Sequence, residues 1–264
     1  MSFKKVSLFG FELVNAASVD EVAADVMQKY KVGTVGPADT LITPNASTVV
    51  YYNEEKNRQL KEFYSNAAYI LPDGMPLVWL SKIAAKEKLA ARLTGSDLFP
   101  VLWQQIKFEK APVNMVLAND ELAAMFCKEY ALCKTSVPIF FDANDEKYIQ
   151  SFAEEVAVSA IANGSKFIFL GLNFPKQELL GIHISAALEA RAYKPSVLIL
   201  LLGASFEYYF DLKKRAPAIL RKAGMEWFYR FMSEPGRLWK RYTVDNARFI
   251  WLASKEIFKK QKRD

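Results

Sequence analysis

Residues 166–207 read KFIFLGLNFPKQELLGIHISAALEARAYKPSVLILLLGASFE. Two short apolar runs, Lys166–Leu170 and Val197–Leu202, flank a segment from Lys176 to Ala190 whose apolar residues recur every three or four positions. Runs this dense in hydrophobic residues suit strands buried on both faces, and the periodicity between them suits a helix. A buried strand, a helix and a second buried strand form the repeating unit of a parallel sheet covered on both sides.

The same alternation extends toward the N-terminus. Strands are expected at Val6–Phe11, Thr40–Thr43, Ala68–Leu71, Val113–Ala118 and Val137–Phe141. Helices are expected at Asp20–Tyr30, Ala46–Tyr64, Leu77–Lys86, Asp97–Ile106, Glu121–Leu132 and Glu146–Ala162. The expected fold is α/β, a Rossmann-like and mostly parallel sheet with helices on both faces. Beyond Gly203 the strand pattern stops, and helical segments broken near Pro217, Gly224 and Pro235 follow. The chain is therefore expected to divide into an α/β body, residues 1–211, and a C-terminal basic helical appendage, residues 212–264.

Charge sets the appendage apart. From Leu212 to Asp264 there are fifteen Lys and Arg against five Asp and Glu, a local +10, so a chain with net charge +6 carries −4 elsewhere. Trp227, Trp239 and Trp251 lie in the same segment, and basic helices with large aromatics suit an anionic membrane surface or a phosphate-bearing ligand. The N-terminus lacks the apolar core of a signal peptide, and Val197–Leu202 is too short to cross a bilayer, so membrane contact is expected to be peripheral. Cys127 and Cys133 have no second metal-type pair and suggest neither a disulfide framework nor a zinc site, which favours a reducing cytoplasm.

In open parallel sheets ligands sit beyond the carboxyl ends of the strands, so four strand-to-helix turns are candidate sites. Thr43-Pro44-Asn45 offers a hydroxyl, an amide and helix N–H groups to a polar ligand, and Asn45 serves equally as a plain helix N-cap. Leu71-Pro72-Asp73-Gly74 sets an acid in a tight turn, which is also ordinary Asp-Gly turn chemistry. In Gly171–Glu178, Pro175 and Glu178 suit a helix start, while Lys176 and Gln177 suit hydrogen bonding to a nucleotide or sugar. Leu202-Gly203-Ala204-Ser205 is a small-residue turn open to a phosphate.

These turns recur in order with Arg92-Leu93-Thr94-Gly95-Ser96-Asp97-Leu98, Lys214-Arg215-Ala216-Pro217, Gly224-Met225-Glu226-Trp227-Phe228-Tyr229-Arg230, Glu234-Pro235 and Arg237–Tyr242. As an ordered set, covering nearly the whole chain, they resemble the WecG/TagA/CpsF family of bacterial glycosyltransferases. Departures are Ser47 where the family has Glu, Leu172 and Ala204 where it has a second glycine, and Leu117-Ala118-Asn119-Asp120 in place of a Gly-rich turn.

The resemblance implies an inverting, metal-independent transfer from a UDP donor to a polyprenyl-diphosphate-linked saccharide, in cell-surface polysaccharide biosynthesis. The sugar would be of the N-acetylmannosamine, N-acetylmannosaminuronate or glucose type. By family position Asp73 is the base, and Thr43, Asn45 and Gln177 hold the sugar. Arg230, Arg237 and Arg241 match the family's basic positions and would clamp the diphosphate through paired hydrogen bonds, and the small-residue turn with Gly203 and Ser205 would meet the phosphates. Each of these arginines also fits a solvated basic face. No cofactor is expected beyond the UDP-sugar substrate. The expected partners are that donor, the lipid-linked acceptor and an anionic membrane surface, with room for a homo-oligomer. The expected location is cytoplasmic, peripheral on the inner face of the cell membrane.

A metal route would call on Asp142-Ala143-Asn144-Asp145, which fits a loop and helix cap as well. His183, the only histidine, falls outside the matching motifs and reads as a helix-surface or packing residue. Two rival classes differ in kind. A dinucleotide-dependent oxidoreductase lacks its Gly-x-Gly-x-x-Gly after the first strand. A nucleic-acid- or membrane-binding protein without enzymatic activity would use the basic tail and leave the strand-end motifs idle; binding to nucleic acid is not expected of so acidic a body.

Overall fold

Val197 to Leu202, the most apolar run of the chain, becomes a central strand with neighbours on both sides. The computed structural model describes residues 3–33, 38–54, 57–191, 196–217, 219–220, 225–233, 236 and 245–261. In chain order the elements are β1 (Lys4–Leu8), β2 (Phe11–Asn15), α1 (Val19–Val32), β3 (Asp39–Ile42), α2 (Ala46–Tyr52), α3 (Arg58–Ser65), β4 (Tyr69–Ile70), α4 (Met75–Ala84) and α5 (Gly95–Phe108). They continue with β5 (Val113–Val116), α6 (Asp120–Glu129), β6 (Cys133–Ser136), α7 (Glu146–Asn163), β7 (Phe167–Leu170), α8 (Lys176–Ala190), β8 (Leu198–Leu201) and α9 (Ser205–Tyr209). Helices Glu226–Ser233 and Asn246–Gln261 follow.

Six strands form one all-parallel sheet in the order β4-β3-β8-β7-β5-β6, a Rossmann-like arrangement. Alternate residues of each strand point to opposite faces, and both faces are covered. Leu198 and Leu200 of β8 join Phe167 and Phe169 of β7 in a core with α1, α5, α6 and α9. Ile199, Leu201, Ile168 and Leu170 enter a second core with α2, α3, α4, α7, α8 and the C-terminal helix. The near-continuous apolar composition of β7 and β8 follows from this two-sided burial.

Three expectations need correction. The run Val6–Phe11 is not one strand but the middle of an antiparallel hairpin, β1 with β2, turning at Phe9 and Gly10, whose φ angles are 56° and 82°. The helix expected over Ala46–Tyr64 is two, because α2 ends at Asn53, whose amide donates back to the Val49 carbonyl at 2.8 Å. The strand expected at Val137–Phe141 lies earlier, at Cys133–Ser136. That strand borders β5 alone, and its Lys134, Thr135 and Ser136 are exposed or half-buried, whereas Ile139 and Phe140 are exposed in the loop beyond.

The C-terminal helix Asn246–Gln261 lies against α2 and α4. Phe249 is buried in the second core with its ring centroid 5.6 Å from that of Phe9, and Leu252, Ala253 and Ile257 pack beside it. Arg248 pairs with Glu54 at 2.9 Å.

Candidate active site

The turns after β4, β3, β8 and β7, four neighbouring strands, line one cleft at the carboxyl edge of the sheet. Hydrogen bonding continues past the strand ends. The Leu71 N–H donates to the Ile42 carbonyl at 2.9 Å and the Asp73 N–H to the Pro44 carbonyl at 3.0 Å, which sets Asp73 beside the Thr43–Asn45 turn. Gly74, with φ 125°, closes the turn in a conformation that side-chain-bearing residues rarely adopt and lets α4 begin at once.

Asn45 caps α2: its Oδ1 accepts from the N–H groups of Ser47 and Thr48 at 3.1 and 3.2 Å. The same residue lines the cleft together with Thr43 and Asp73, so capping fixes the side chain where a ligand would meet it. Two carboxylates line the cleft among the described residues. Asp73 is partly exposed and Glu178 is buried.

At the other end of the row, Gln177 bridges two turns. Its Oε1 accepts from the Gly203 N–H at 3.0 Å and its Nε2 donates to Glu178 Oε1 at 3.0 Å. Tyr64 Oη donates to the same Glu178 oxygen at 2.8 Å. Burial pushes the Glu178 carboxyl up to about 7 against the opposing pull of these hydrogen bonds, and burial together with the Glu178 charge raises Tyr64 well above the ordinary phenol range. Ser205 Oγ donates to the Leu202 carbonyl at 2.7 Å, and Gly95 sits so close that an added Cβ would lie 3.0 Å from Ser205 Oγ. Ser205 thus closes the turn after β8 against the start of α5.

The Arg-Leu-Thr-Gly-Ser-Asp and Arg-Ala-Pro stretches meet at the rim. Arg215 donates to Asp97 Oδ1 at 2.8 Å and to Ser96 Oγ at 3.2 Å. Thr94 Oγ1 donates to Asp97 Oδ2 at 2.7 Å, Arg92 lies 3.9 Å from that oxygen, and Arg92 pairs with Glu226 at 2.9 Å. Burial disfavours the Asp97 charge, but the hydrogen bonds from Thr94 and Arg215 and the charges of Arg215 and Arg92 outweigh it and hold the carboxyl below its ordinary range. Lys213, also on the lining, pairs with Glu207 at 2.9 Å.

The family is now decided. A family model described as Glycosyl transferase WecG/TagA/CpsF family matches residues 6–263. The chain belongs to this family. Membership makes it a glycosyltransferase, and the WecG/TagA/CpsF family implies work in cell-surface polysaccharide biosynthesis.

Of the residues singled out from the sequence of this WecG/TagA/CpsF member, Thr43, Asn45, Asp73, Gln177, Gly203 and Ser205 come together in the cleft. Arg230 stands in the helix Glu226–Ser233, and Arg237 and Arg241 lie outside the described residues. Arg248, farther along the same basic segment, pairs with Glu54. Lys176 points away from the cleft: its ammonium donates to the Phe141 carbonyl and sits 4.6 Å from the ring centroids of Phe140 and Phe141. Asp142 accepts from the Asn144 backbone and amide at 2.8 and 2.7 Å, and Asp145 caps α7. Among the described residues no group of three or more His, Cys, Asp and Glu is placed to hold a metal ion. His183 sits half-buried on α8, outside the cleft.

Tyr64 and Glu178 are additions from the structure. Glu178 reads in the sequence as a carboxylate complementing a helix start, and only its pairing with Tyr64, 114 positions away, reveals its burial. Arg92, Asp97, Arg215 and Glu226 stand in family motifs, yet nothing in their local sequence foretells that they bind one another.

Proposed function

We propose that the protein transfers a sugar from a UDP donor, with inversion, to a polyprenyl-diphosphate-linked saccharide at a membrane surface. The observation that carries this reading is the order of groups along the sheet edge. Asp73 follows β4 at one end; Thr43 and Asn45 follow β3, the Gly203–Ser205 turn follows β8, and Gln177 stands after β7. A sugar held in the middle of that row has a partly exposed carboxylate on one side and a small-residue turn beside Lys213 on the other.

The chemistry then follows. The Asp73 carboxylate takes the proton of the acceptor hydroxyl as that oxygen bonds to the anomeric carbon, and the bond from that carbon to the UDP oxygen breaks on the opposite side. Charge gathering on UDP needs an offset, which Lys213 and the arginines Arg230, Arg237 and Arg241 supply in place of a metal. Asp142 and Asp145, a turn acceptor and a helix cap, stand outside the cleft lining, which favours that choice.

Membrane contact rests on the outer face of the C-terminal helix. Trp251 and Phe258 are exposed there among Lys255, Lys259 and Lys260, and Lys260 reaches the carbonyl of exposed Ile83 on α4 at 3.2 Å. Trp79, also exposed on α4, extends the apolar area. Among the described residues no helix is long and apolar enough to cross a membrane.

The test is transfer from a panel of UDP-sugars to a short polyprenyl-diphosphate saccharide, with EDTA present, read as UDP release and glycosylated product. Product formed only with a different nucleotide sugar, or only after manganese or magnesium is restored, overturns the donor or the metal-free mechanism respectively.

A further inference from the structure

Under the cleft, one carboxylate oxygen gathers two donors from two helices. Tyr64 of α3 and Gln177 of α8 both donate to Glu178 Oε1, at 2.8 and 3.0 Å, and Gln177 then accepts the Gly203 N–H at 3.0 Å. A side-chain amide is ambiguous by itself, since rotating it by half a turn exchanges donor and acceptor. Here the exchange would set the NH2 group against the Gly203 N–H and the carbonyl against a carboxylate. An acceptor at Glu178 forbids it.

Glu178 is 1% exposed, and its second oxygen has no hydrogen-bond partner among the described residues. Burying a carboxyl so incompletely satisfied is costly. Helix α8 alone does not require it, because a first-turn acid serves the helix dipole as well from the surface. What the buried position achieves is control of Gln177, and with it of the turn after β8. Gly203 has φ 54°, and its N–H is shared between Gln177 and the Leu170 carbonyl at 3.2 Å.

We infer that Glu178 is a positioning residue for glycosyl transfer: through Gln177 it holds the Gly203–Ser205 turn in the shape that receives the donor. The role in transfer rests on the function proposed above; the control of Gly203 does not. The ionisable groups around Glu178 are Tyr52 of α2, whose ring centroid is 4.0 Å from that of Tyr64, and Tyr64 itself, with Asp73, Tyr208 and Lys213 on the same cleft lining. Burial leaves Glu178 changing protonation near neutral pH. A protonated Glu178 is a weaker acceptor for its two donors, so Gly203 should sense that change through Gln177.

The experiment compares the full chain with Glu178→Gln, Glu178→Ala and Tyr64→Phe. Without any substrate, the Gly203 amide resonance of the wild type should move with pH around a midpoint near 7, stay flat in Glu178→Gln, and follow a raised midpoint in Tyr64→Phe, which removes a bond that favours the charged form. With substrates, Glu178→Ala should raise the donor KM about tenfold with a smaller change in kcat, and Glu178→Gln, which keeps an acceptor oxygen, should stay within about threefold of the wild type. A Gly203 amide indifferent to pH and to Glu178→Gln overturns the control of the turn. An unchanged donor KM in Glu178→Ala, with only a lower melting temperature, reduces Glu178 to packing. If Glu178→Ala does not fold, the Gly203 response in the other two variants decides. Absence of turnover with every UDP-sugar in the wild type strikes the proposed function instead and leaves the amide readings to stand or fall by themselves.

Discussion

Arg92 and Glu226 stand 134 positions apart in sequence and meet at 2.9 Å, with their side chains 15% and 10% exposed. The pair fastens the start of the helix Glu226–Ser233 to the loop before α5, beside the Arg215–Asp97 contact that fastens residue 215 to the first turn of α5. Two separate stretches of the segment after β8 are thus anchored on one short motif at the rim of the cleft.

Removing either partner of so buried a pair leaves an unmatched charge. Glu226→Ala and Arg92→Ala should each cost about 2–4 kcal/mol in urea unfolding, and the double variant should cost less than the sum, with a coupling of about 1–3 kcal/mol. Additive losses would mean that the two side chains contribute separately.

Asp73→Asn keeps the size and turn preference of the residue but cannot take a proton. Turnover should fall by about 10²–10⁴ while UDP binding, followed by calorimetry, remains near that of the wild type. Near-normal turnover would remove Asp73 from the role of base.

Glu178 has a folded-state pKa raised to about 7 from an ordinary value of 4.5. For a raised group the favourable contribution is complete below the unfolded pKa and is lost as pH climbs through the folded one. Unfolding free energy should therefore decline between about pH 5 and pH 8, by up to about 3 kcal/mol from this residue. Glu178→Gln should flatten that part of the profile, and an unchanged slope in the variant would assign it elsewhere.

Phe249→Ala removes a buried ring that packs against Phe9 and should cost about 3 kcal/mol, measured by denaturant unfolding. A loss under about 1 kcal/mol would show that the C-terminal helix is held by its polar contacts instead.

Reversing charge at Lys259, Lys260 and Lys262 should weaken binding to anionic liposomes by about 1 kcal/mol per residue and increasingly so at low salt. Transfer to a short soluble acceptor should be little changed. Equal losses on soluble and membrane-bound acceptors would place these lysines near the chemistry.

The buried strands were legible because two-sided burial demands apolar residues at every position: β7 and β8 lie where Lys166–Leu170 and Val197–Leu202 predicted them. Edges were harder. β6 pairs on one side only, so Lys134, Thr135 and Ser136 tolerate solvent, and the neighbouring apolar loop with Ile139 and Phe140 outcompetes it as a pattern. The turn of the first hairpin hid because Phe9 is an unusual residue for a left-handed φ. In the cleft, turn chemistry announces Thr43, Asn45, Asp73 and Gly203. The bonds of Gln177 with Gly203 and of Glu178 with Tyr64 depend on how distant elements pack, which no local pattern carries.

The contact of Phe249 with Phe9 also imposes a timetable. About 240 residues separate them, so at 5–20 residues per second the early hairpin waits on the order of tens of seconds during synthesis for the helix that covers it. Until then Phe9 lacks its Phe249 neighbour, and a chain interrupted before that helix never acquires the contact.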